Sequence, residues 1–283
     1  MSEFVHLHLH TEFSLLDGAC RIEELLDQAQ RLGQKSVAVT EHGNMFSAVV
    51  FHDAARKRGI TPILGCEVYV APGSRFDKSG TPGETANHLV LLAENDTGFK
   101  NLIKLVSAGY TEGFYYKPRI DKELLARHAS GLIGLSSCLK GEVATEVRGP
   151  SPKKAMAAAA TFQDILGKGN FFLEMQFQGI DEQRIVNTGL LPIAADLDMP
   201  LVCTNDVHYL KHGDHKSHDI LLCIGTGKSV HDEHRLRYHG DQFFLKSAAE
   251  MAAVFGDYPQ AMANTLLIAE RCDVTIPDRK SVV

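Results

Sequence analysis

The stretch FVHLHLHT, residues 4–11, decides how the rest of the chain is interpreted. Apolar and histidine residues alternate in it, and side chains alternate between the two faces of an extended strand. His6, His8 and His10 are therefore predicted to share one face, with the intervening apolar residues on the other. Three imidazoles on one face of a buried strand indicate a bound metal, because neutral imidazole is the commonest metal ligand in proteins.

Short apolar stretches alternate with helical patterns along the rest of the chain. Including the first stretch, we predict seven strands, which lie at residues 4–11, 36–40, 63–70, 88–93, 132–135, 171–175 and 201–204. Most of them are followed by a helix, which favours a parallel sheet covered by helices. Length and repetition favour a closed or nearly closed α/β barrel over an open sheet.

Composition limits the classes of protein that fit. The 283 residues, 44% of them hydrophobic, suffice for one barrel-sized domain or for two ordinary domains. A net charge of −6 argues against a generally basic protein that coats nucleic acid, although a local basic cleft is compatible with it. No apolar run is long enough to span a membrane, so we expect no membrane partner. Six scattered cysteines without a CxxC pair are typical of reduced thiols in a cytoplasmic protein.

Groups that bind metals recur at or near the ends of most predicted strands. In a barrel, the carboxyl ends of parallel strands converge on one mouth, where active sites lie. The fit is direct for groups that follow a strand and looser for groups inside one. The nine candidates are His8, His10, Asp17, His42, Glu67, His88, Cys138, Asp206 and His208.

Nine candidates exceed what one ion needs, and they suit two or three divalent ions with Glu67 as a bridging carboxylate. Imidazole-rich ligation favours zinc, manganese or iron over magnesium and calcium, and Cys138 favours zinc further. Clustered ions of this kind serve phosphoryl chemistry. Taken singly, Asp17 is equally well a turn residue, Asp206 a helix cap and Cys138 a small buried residue. It is their recurrence after most strands that favours a metal centre.

Eight stretches carry a resemblance to a known family. They are HLHLHT (6–11), SLLDG (14–18), TEHGN (40–44), GCEVY (65–69), NHLVL (87–91), YKPRID (116–121), LSSCLKGE (135–142) and TNDVHY (204–209). Together they resemble the PHP (polymerase and histidinol phosphatase) domains at the N-terminus of bacterial replicative DNA polymerase III alpha subunits. The resemblance covers residues 1–277 as one PHP domain. It implies a distorted (β/α)7 barrel with a trinuclear metal centre held by the same nine residues.

The resemblance also implies a function. Small-molecule phosphatases of the superfamily usually have histidine where Asp17 and Cys138 stand, so these two residues point to the polymerase branch. An intact site in that branch implies metal-dependent 3′–5′ exonuclease proofreading on a single-stranded or frayed DNA 3′ end. We assign catalytic roles to Glu67, Asp206 and His208. Phosphate contacts are expected from residues in family-like loops, namely Lys117, Arg119 and Lys140, and base stacking from Tyr115 and Tyr116.

Alternatives remain at this point. The domain could instead be a structural or docking module whose metals only stabilise it, or a phosphoesterase acting on a small molecule. The loop lysines and arginine fit equally well as solvated surface charges. DNA polymerase activity and contacts with the rest of the alpha subunit and other replisome subunits belong to the whole subunit that the resemblance implies. We interpret residues 278–283, DRKSVV, as a polar tail at an artificial truncation, because they back-translate to a sequence resembling a sequencing adapter.

Overall fold

The computed structural model describes residues 3–81, 83 and 85–277, and within these ranges seven strands form one curled sheet. The sheet order is β1-β2-β3-β5-β6-β7, and β4 pairs with β2. The strands are β1 Ser36–His42, β2 Thr61–Val70, β3 Asn87–Ala93, β4 Arg119–Ile120, β5 Leu132–Leu135, β6 Phe171–Gln176 and β7 Leu201–Thr204. The predicted α/β fold class is confirmed.

Helices follow most strands, as the sequence pattern predicts. In the described residues they are α1 Ile22–Arg31, α2 Ala48–Lys57, α3 Asp96–Thr111, α4 Lys122–Arg127, α5 Glu142–Arg148, α6 Pro152–Leu166, α7 Asp181–Asp196, α8 His215–Thr226, α9 Ala248–Phe255 and α10 Pro259–Arg271. Among these residues there is no helix with the length and apolarity that a membrane crossing requires. The predicted tail at 278–283 lies outside the described residues.

The N-terminal segment joins the two edges of the sheet, although it is not a regular strand. On one side, the backbone N–H groups of Ala38 and Thr40 in β1 donate to the carbonyl oxygens of His6 and Leu9. On the other side, the segment exchanges two backbone hydrogen bonds with Val207, which follows β7. Because this segment bonds to both edges, the curled sheet is bridged around its circumference, and the two histidines that follow His6 are carried into its mouth.

The space enclosed by the curled sheet is packed with apolar side chains. One buried cluster draws residues from the N-terminal segment and from six strands, which can meet only on the concave face of a curled sheet. Its members from these elements are Val5, Leu7, Ala38, Ile63, Val90, Leu92, Ile133, Leu135, Phe172 and Val202. This packed layer gives the mouth of the sheet a rigid floor.

The expectation of a wholly parallel sheet is wrong for β3. This strand runs antiparallel to both of its neighbours, β2 and β5. Its first residues therefore lie beside the last residues of β2, and His88 pairs with Tyr69. The reversal explains how a histidine at the start of a strand reaches the mouth where the other strands end.

Candidate metal centre

The structure brings the nine residues with predicted ligand roles together at the mouth of the sheet. Three groups of side chains could each hold a metal ion, because their ligand atoms lie within 4.8 Å of one another. The groups are His8, His10 and Asp206; His42, Glu67 and His88; and His10, His42 and His208. Asp17 and Cys138 lie at the margins of these groups, as described below.

The first group is built on the N-terminal segment and the loop after β7. One carboxylate oxygen of Asp206, Oδ1, lies 3.3 Å from the Nε2 atoms of both His8 and His10. The far side of the His8 ring is fixed by Glu174 in β6, since Nδ1 lies 2.7 Å from its carboxylate. A carboxylate that holds the second nitrogen of a ligand histidine orients the ring and sets its tautomer.

Glu67 of β2 is the centre of the arrangement. Its side chain is 1% exposed, and both oxygens face imidazoles. Oε1 lies 3.4 Å from His8 Nε2 and 3.0 Å from His88 Nδ1, while Oε2 lies 2.7 Å from His42 Nδ1 and 3.7 Å from His10 Nε2. The carboxylate therefore touches members of all three groups, which is the position the sequence predicts for a bridging ligand.

Cys138 extends the group around Glu67. Its Sγ atom lies 3.8 Å from Glu67 Oε1 and 3.6 Å from His88 Nδ1. Burial, and then the charges of nearby carboxylates with Glu67 first, raise the pKa of this thiol well above its usual value. In the absence of an ion, the sulfur is thus a neutral thiol, and it becomes a thiolate ligand only when a cation offsets the neighbouring negative charge.

At the margin of the third group lie Asp17 and a tyrosine, Tyr238, that the sequence analysis missed. Asp17 Oδ2 lies 3.0 Å from His42 Nε2, and Oδ1 lies 3.9 Å from His208 Nε2. The hydroxyl of Tyr238 lies 2.9 Å from His208 Nε2 and 3.2 Å from Asp17 Oδ1. His218 donates from Nε2 to the backbone oxygen of Asp17 at 2.8 Å if that nitrogen carries the proton. Tyr238 and His218 therefore hold this side of the centre.

Unusual backbone conformations coincide with the ligands. Asp206 itself has φ 47°, Ser137 beside Cys138 has φ 65°, and Leu16 beside Asp17 has φ 62°. Residues other than glycine rarely adopt this left-handed region, and such positions cluster at functional sites. The same strained conformations aim the two carboxylates and the thiol into the mouth.

Unpartnered polar atoms show that the pocket suits cations. Buried side-chain nitrogen and oxygen atoms almost always have a hydrogen-bond partner in proteins. In the described part of the chain ten such atoms lack one, and six of the ten belong to this cluster. The six are His8 Nε2, His10 Nε2, His42 Nδ1, His42 Nε2, Glu67 Oε2 and Asp206 Oδ1. Their convergence from several strands fits divalent metal ions.

The electrostatics of the cluster keep its carboxylates ionised. Burial alone would raise the pKa of Glu67, but the nearby imidazoles, His88 and His8 first, hold it well below its usual value. Burial also opposes ionisation of Asp206, yet His8 and His208 hold its pKa low as well. For His42, burial lowers the pKa, but the close carboxylates of Asp17 and Glu67 outweigh burial and raise the pKa to about 10. Without an ion, His42 therefore carries a proton that ion binding must displace.

Glu174 provides a direct test of the metal centre. Its Oε1 faces His8 and also accepts from Gln176, while Oε2 accepts from the backbone N–H of Ser137 at 3.0 Å. In Glu174→Gln the amide NH₂ must face one of these donors, so we expect ion affinity at the His8 group to fall by roughly 10- to 100-fold. Titration of the chelated chain with Mn²⁺ measures this. An unchanged affinity would remove Glu174 from the support of His8.

The residues predicted to contact phosphates divide into two kinds. Lys117 and Lys140 are exposed at the mouth. The Lys117 ammonium lies 5.3 Å from the ring centre of Tyr69, which packs against His88, and the carbonyl of Lys140 accepts from the His88 backbone. Arg119 is instead 2% exposed, and its guanidinium donates to four backbone carbonyl oxygens. Arg119 therefore anchors the loop after β2, and we propose no phosphate contact for it.

Comparison with known proteins assigns the chain to a family. The family model described as PHP domain matches residues 6–178, which is more than half of the chain and includes seven of the nine clustered side chains. The chain belongs to the PHP domain family. The expectation drawn from the sequence motifs is thus confirmed. The two remaining side chains, Asp206 and His208, lie beyond the matched range, and the structure brings them to the same mouth.

Two relatives are similar to this PHP domain over nearly its whole length. The DNA polymerase III subunit alpha of Treponema pallidum is 48% identical over 275 residues, which are 97% of this chain and 24% of that protein. The subunit alpha of Borreliella burgdorferi is 42% identical over 280 residues, 98% of this chain and again 24% of the relative. The chain thus spans about a quarter of these relatives. Among solved structures, an amidohydrolase from Chromobacterium violaceum aligns with TM-score 0.47 and 16% identity over 72% of this chain and 87% of that one.

Proposed function

We propose that the chain is the PHP domain of a DNA polymerase III alpha subunit, and that it hydrolyses phosphodiester bonds at the 3′ end of single-stranded or frayed DNA. The observation that carries this proposal is the placement of Glu67 between three adjacent groups of ligand atoms. A carboxylate shared between neighbouring ion sites is suited to phosphoryl chemistry, in which both the attacking and the leaving oxygen need stabilisation.

We propose two or three divalent ions for these groups, chosen among zinc, manganese and iron. Five histidines and a cysteine among the nine side chains favour these ions over magnesium and calcium. When bound, such ions supply Lewis acidity towards phosphate oxygens and make a nearby water more acidic at neutral pH. The residues proposed to hold them are His8, His10, Asp17, His42, Glu67, His88, Cys138, Asp206 and His208.

The chain's own side chains have distinct proposed roles around the phosphate. Glu67 and Asp206 hold negative charge against the cations, because their pKa values stay low. His208 is held from both sides, by the Asp206 carbonyl at Nδ1 and by Tyr238 at Nε2. Lys117 and Lys140, exposed at the mouth, are placed to attract the phosphodiester chain.

The exposed ring of Tyr116 offers a stacking surface for a terminal base. Its side chain is 53% exposed, and its ring centre lies 4.5 Å from that of Tyr115. Stacking on an aromatic face is tolerant of base identity, which a proofreading activity requires. Tyr115 is instead held by a hydrogen bond from its hydroxyl to the carbonyl of Gly80. The stacking role therefore belongs to Tyr116.

A second candidate function is that of a structural module whose ions only stabilise it. The similarity to a quarter of a much longer protein favours this candidate, because a domain in such a position also packs against its neighbours. A phosphoesterase acting on a small molecule is disfavoured by Asp17 and Cys138. DNA-directed DNA polymerase activity, contacts with the remainder of the subunit and other replisome subunits, and a cytoplasmic location are part of the same proposal for the whole protein.

A nuclease assay separates these candidates. We expect the purified chain, supplied with Mn²⁺ or Zn²⁺, to shorten a 5′-labelled single-stranded oligonucleotide progressively from its 3′ end. His208→Ala should abolish the shortening, whereas His212→Ala, an exposed histidine on the following turn, should not. An intact oligonucleotide with every ion would contradict the catalytic proposal. If the parent chain has no nuclease activity and His208→Ala has a lower melting temperature than the parent, the structural module would be favoured.

A further inference from the structure

A cavity lies beside the metal centre. It has a volume of about 410 Å³ and lies between α8 and residues 230–240. Side chains from both elements line it, including Lys216, Ile220, Val230, Arg235, Arg237 and Tyr238. Cavities of this size hold small organic ligands in other proteins.

The residues that line the cavity carry a net positive charge, although the chain as a whole carries a net charge of −6. Lys216, Arg235 and Arg237 contribute three permanent cations, and Asp219 is the carboxylate among the lining residues. Asp219 is engaged by Arg235 through two contacts of 2.6 Å. Lys216 and Arg237 are exposed and keep donors for a ligand. The lining thus has a surplus of positive charge.

The Nε donor of Arg235 has no hydrogen-bond partner. The Arg235 side chain is 3% exposed, and this Nε atom is buried. A buried charged donor in this state is costly unless an acceptor enters the cavity. Guanidinium groups bind phosphate oxygens through paired hydrogen bonds, which makes a phosphate a suitable acceptor.

The cavity shares a wall with the metal centre. Tyr238 lines the cavity, and its hydroxyl contacts both His208 and Asp17. His218 also lines the cavity and contacts the backbone of Asp17. The side chain of Tyr238 therefore separates a ligand in the cavity from His208 of the third group.

We propose that this cavity binds a nucleoside 5′-monophosphate unit. The cations would hold the phosphate, and the apolar side chains of Ile220 and Val230 would contact the sugar and base. This inference rests on the proposed function, since the unit would be the penultimate nucleotide of the strand, whose phosphate lies one position from the cleaved bond, or the mononucleotide that cleavage releases. The cavity and the mouth would then receive adjacent parts of one DNA strand.

Thymidine 5′-monophosphate is the probe for a calorimetric titration of the 283-residue chain. Chelator is kept present, so that binding does not depend on the metal centre. We expect this nucleotide to bind, with thymidine and inorganic phosphate each about tenfold weaker or more, because each lacks half of the contacts. Arg237→Gln and Lys216→Gln should each weaken nucleotide binding about tenfold, through loss of a charge-assisted hydrogen bond. Lys154→Gln, an exposed lysine on α6, should leave it unchanged.

Equal affinity for inorganic phosphate and for the nucleotide would overturn the proposal, because the cavity would then recognise only an anion. Absence of nucleotide binding, or unchanged binding in both cavity variants, would overturn it as well. A single-stranded oligonucleotide that displaces the bound nucleotide identifies the strand end as the occupant. An oligonucleotide that does not displace it leaves the released mononucleotide as the ligand, and both results support the site.

Nuclease kinetics keep this inference separate from the proposed function. If the chain cuts DNA, Arg237→Gln should raise KM for the oligonucleotide with little change in kcat, since the cavity binds and does not react. Nucleotide binding that is lost in the variants of a chain without nuclease activity would support the cavity and contradict the proposed function. Normal KM and normal nucleotide binding in the variants of an active nuclease would contradict the cavity alone.

Discussion

Replacement of Glu67 by glutamine is expected to remove ion binding from more than one group and to lower nuclease activity by at least about a thousandfold. The substitution keeps the size of the side chain but removes its charge. Both carboxylate oxygens face imidazoles of the cluster, so this one side chain contacts four of the candidate histidine ligands. An amide has only one oxygen to share, and its NH₂ group would face a ligand nitrogen or an ion.

The measurement combines the metal content of the purified protein with the rate of oligonucleotide shortening. Asp121→Asn is a matched control, because Asp121 is also a buried carboxylate, at 3% exposure. Its partners are Arg75 at 3.0 Å and the first turn of α4, and none of them belongs to the metal cluster. We expect Asp121→Asn to lower the melting temperature without changing metal content. Equal metal content in Glu67→Gln and the parent would contradict the bridging position of Glu67.

Much of this site follows from local sequence because strands impose a simple rule. A ligand that comes at the end of a buried strand must emerge at the mouth, so His42 and the pair Asp206 and His208 are placed by position alone. The alternation of the first stretch likewise predicts that its histidines are buried, and all three are 0% exposed. His6 differs from the other two because Nε2 contacts the backbone carbonyl of Lys246, outside the cluster.

Other features depend on tertiary contacts that no spacing rule contains. The reversed direction of β3 is set by its pairing with β2 and β5, whereas its apolar sequence suits a parallel strand equally well. Tyr238 comes from a charged segment without ligand spacing, and only the fold brings it to His208. Arg119 lies in a motif typical of the family, yet its neighbours are carbonyl groups of two loops. Glu174 did offer a signal, since it is a lone carboxylate inside the apolar stretch FFLEM.

Removal of the ions is expected to lower the melting temperature by more than about 10 °C. Each ion that binds only the folded chain stabilises it by about 4 kcal/mol when present at a thousand times its dissociation constant, and two or three ions add such contributions. Without them, six buried polar atoms of the cluster are left without a hydrogen bond. Thermal unfolding with and without chelator measures the difference, and readdition of Mn²⁺ should restore it. An equal melting temperature with and without chelator would contradict ion binding at this site.

The chelated chain should also become less stable as pH rises from 6.5 to 8. Burial would lower the pKa of His42, but Asp17 and Glu67 raise it from 6.5 to about 10, and burial of His8 is likewise outweighed by Asp206 and other carboxylates. A raised pKa stabilises the folded chain fully below pH 6.5, and this stability is lost as pH rises towards the folded value. Over this window we expect a loss of about 2 kcal/mol from His42, and a loss of the same sign from His8.

The ion-loaded chain should respond to pH in the opposite direction, because an imidazole must release its proton before it can bind an ion. Urea unfolding at several pH values, with chelator in one series and Mn²⁺ in the other, compares the two. Above pH 8 Lys246 adds stability as pH rises, since burial lowers the pKa of its ammonium to about 8, so it opposes the trend of the chelated series and adds to that of the ion-loaded series. The window below pH 8 therefore isolates the histidines, and parallel curves in the two series would show that protons and ions do not compete for them.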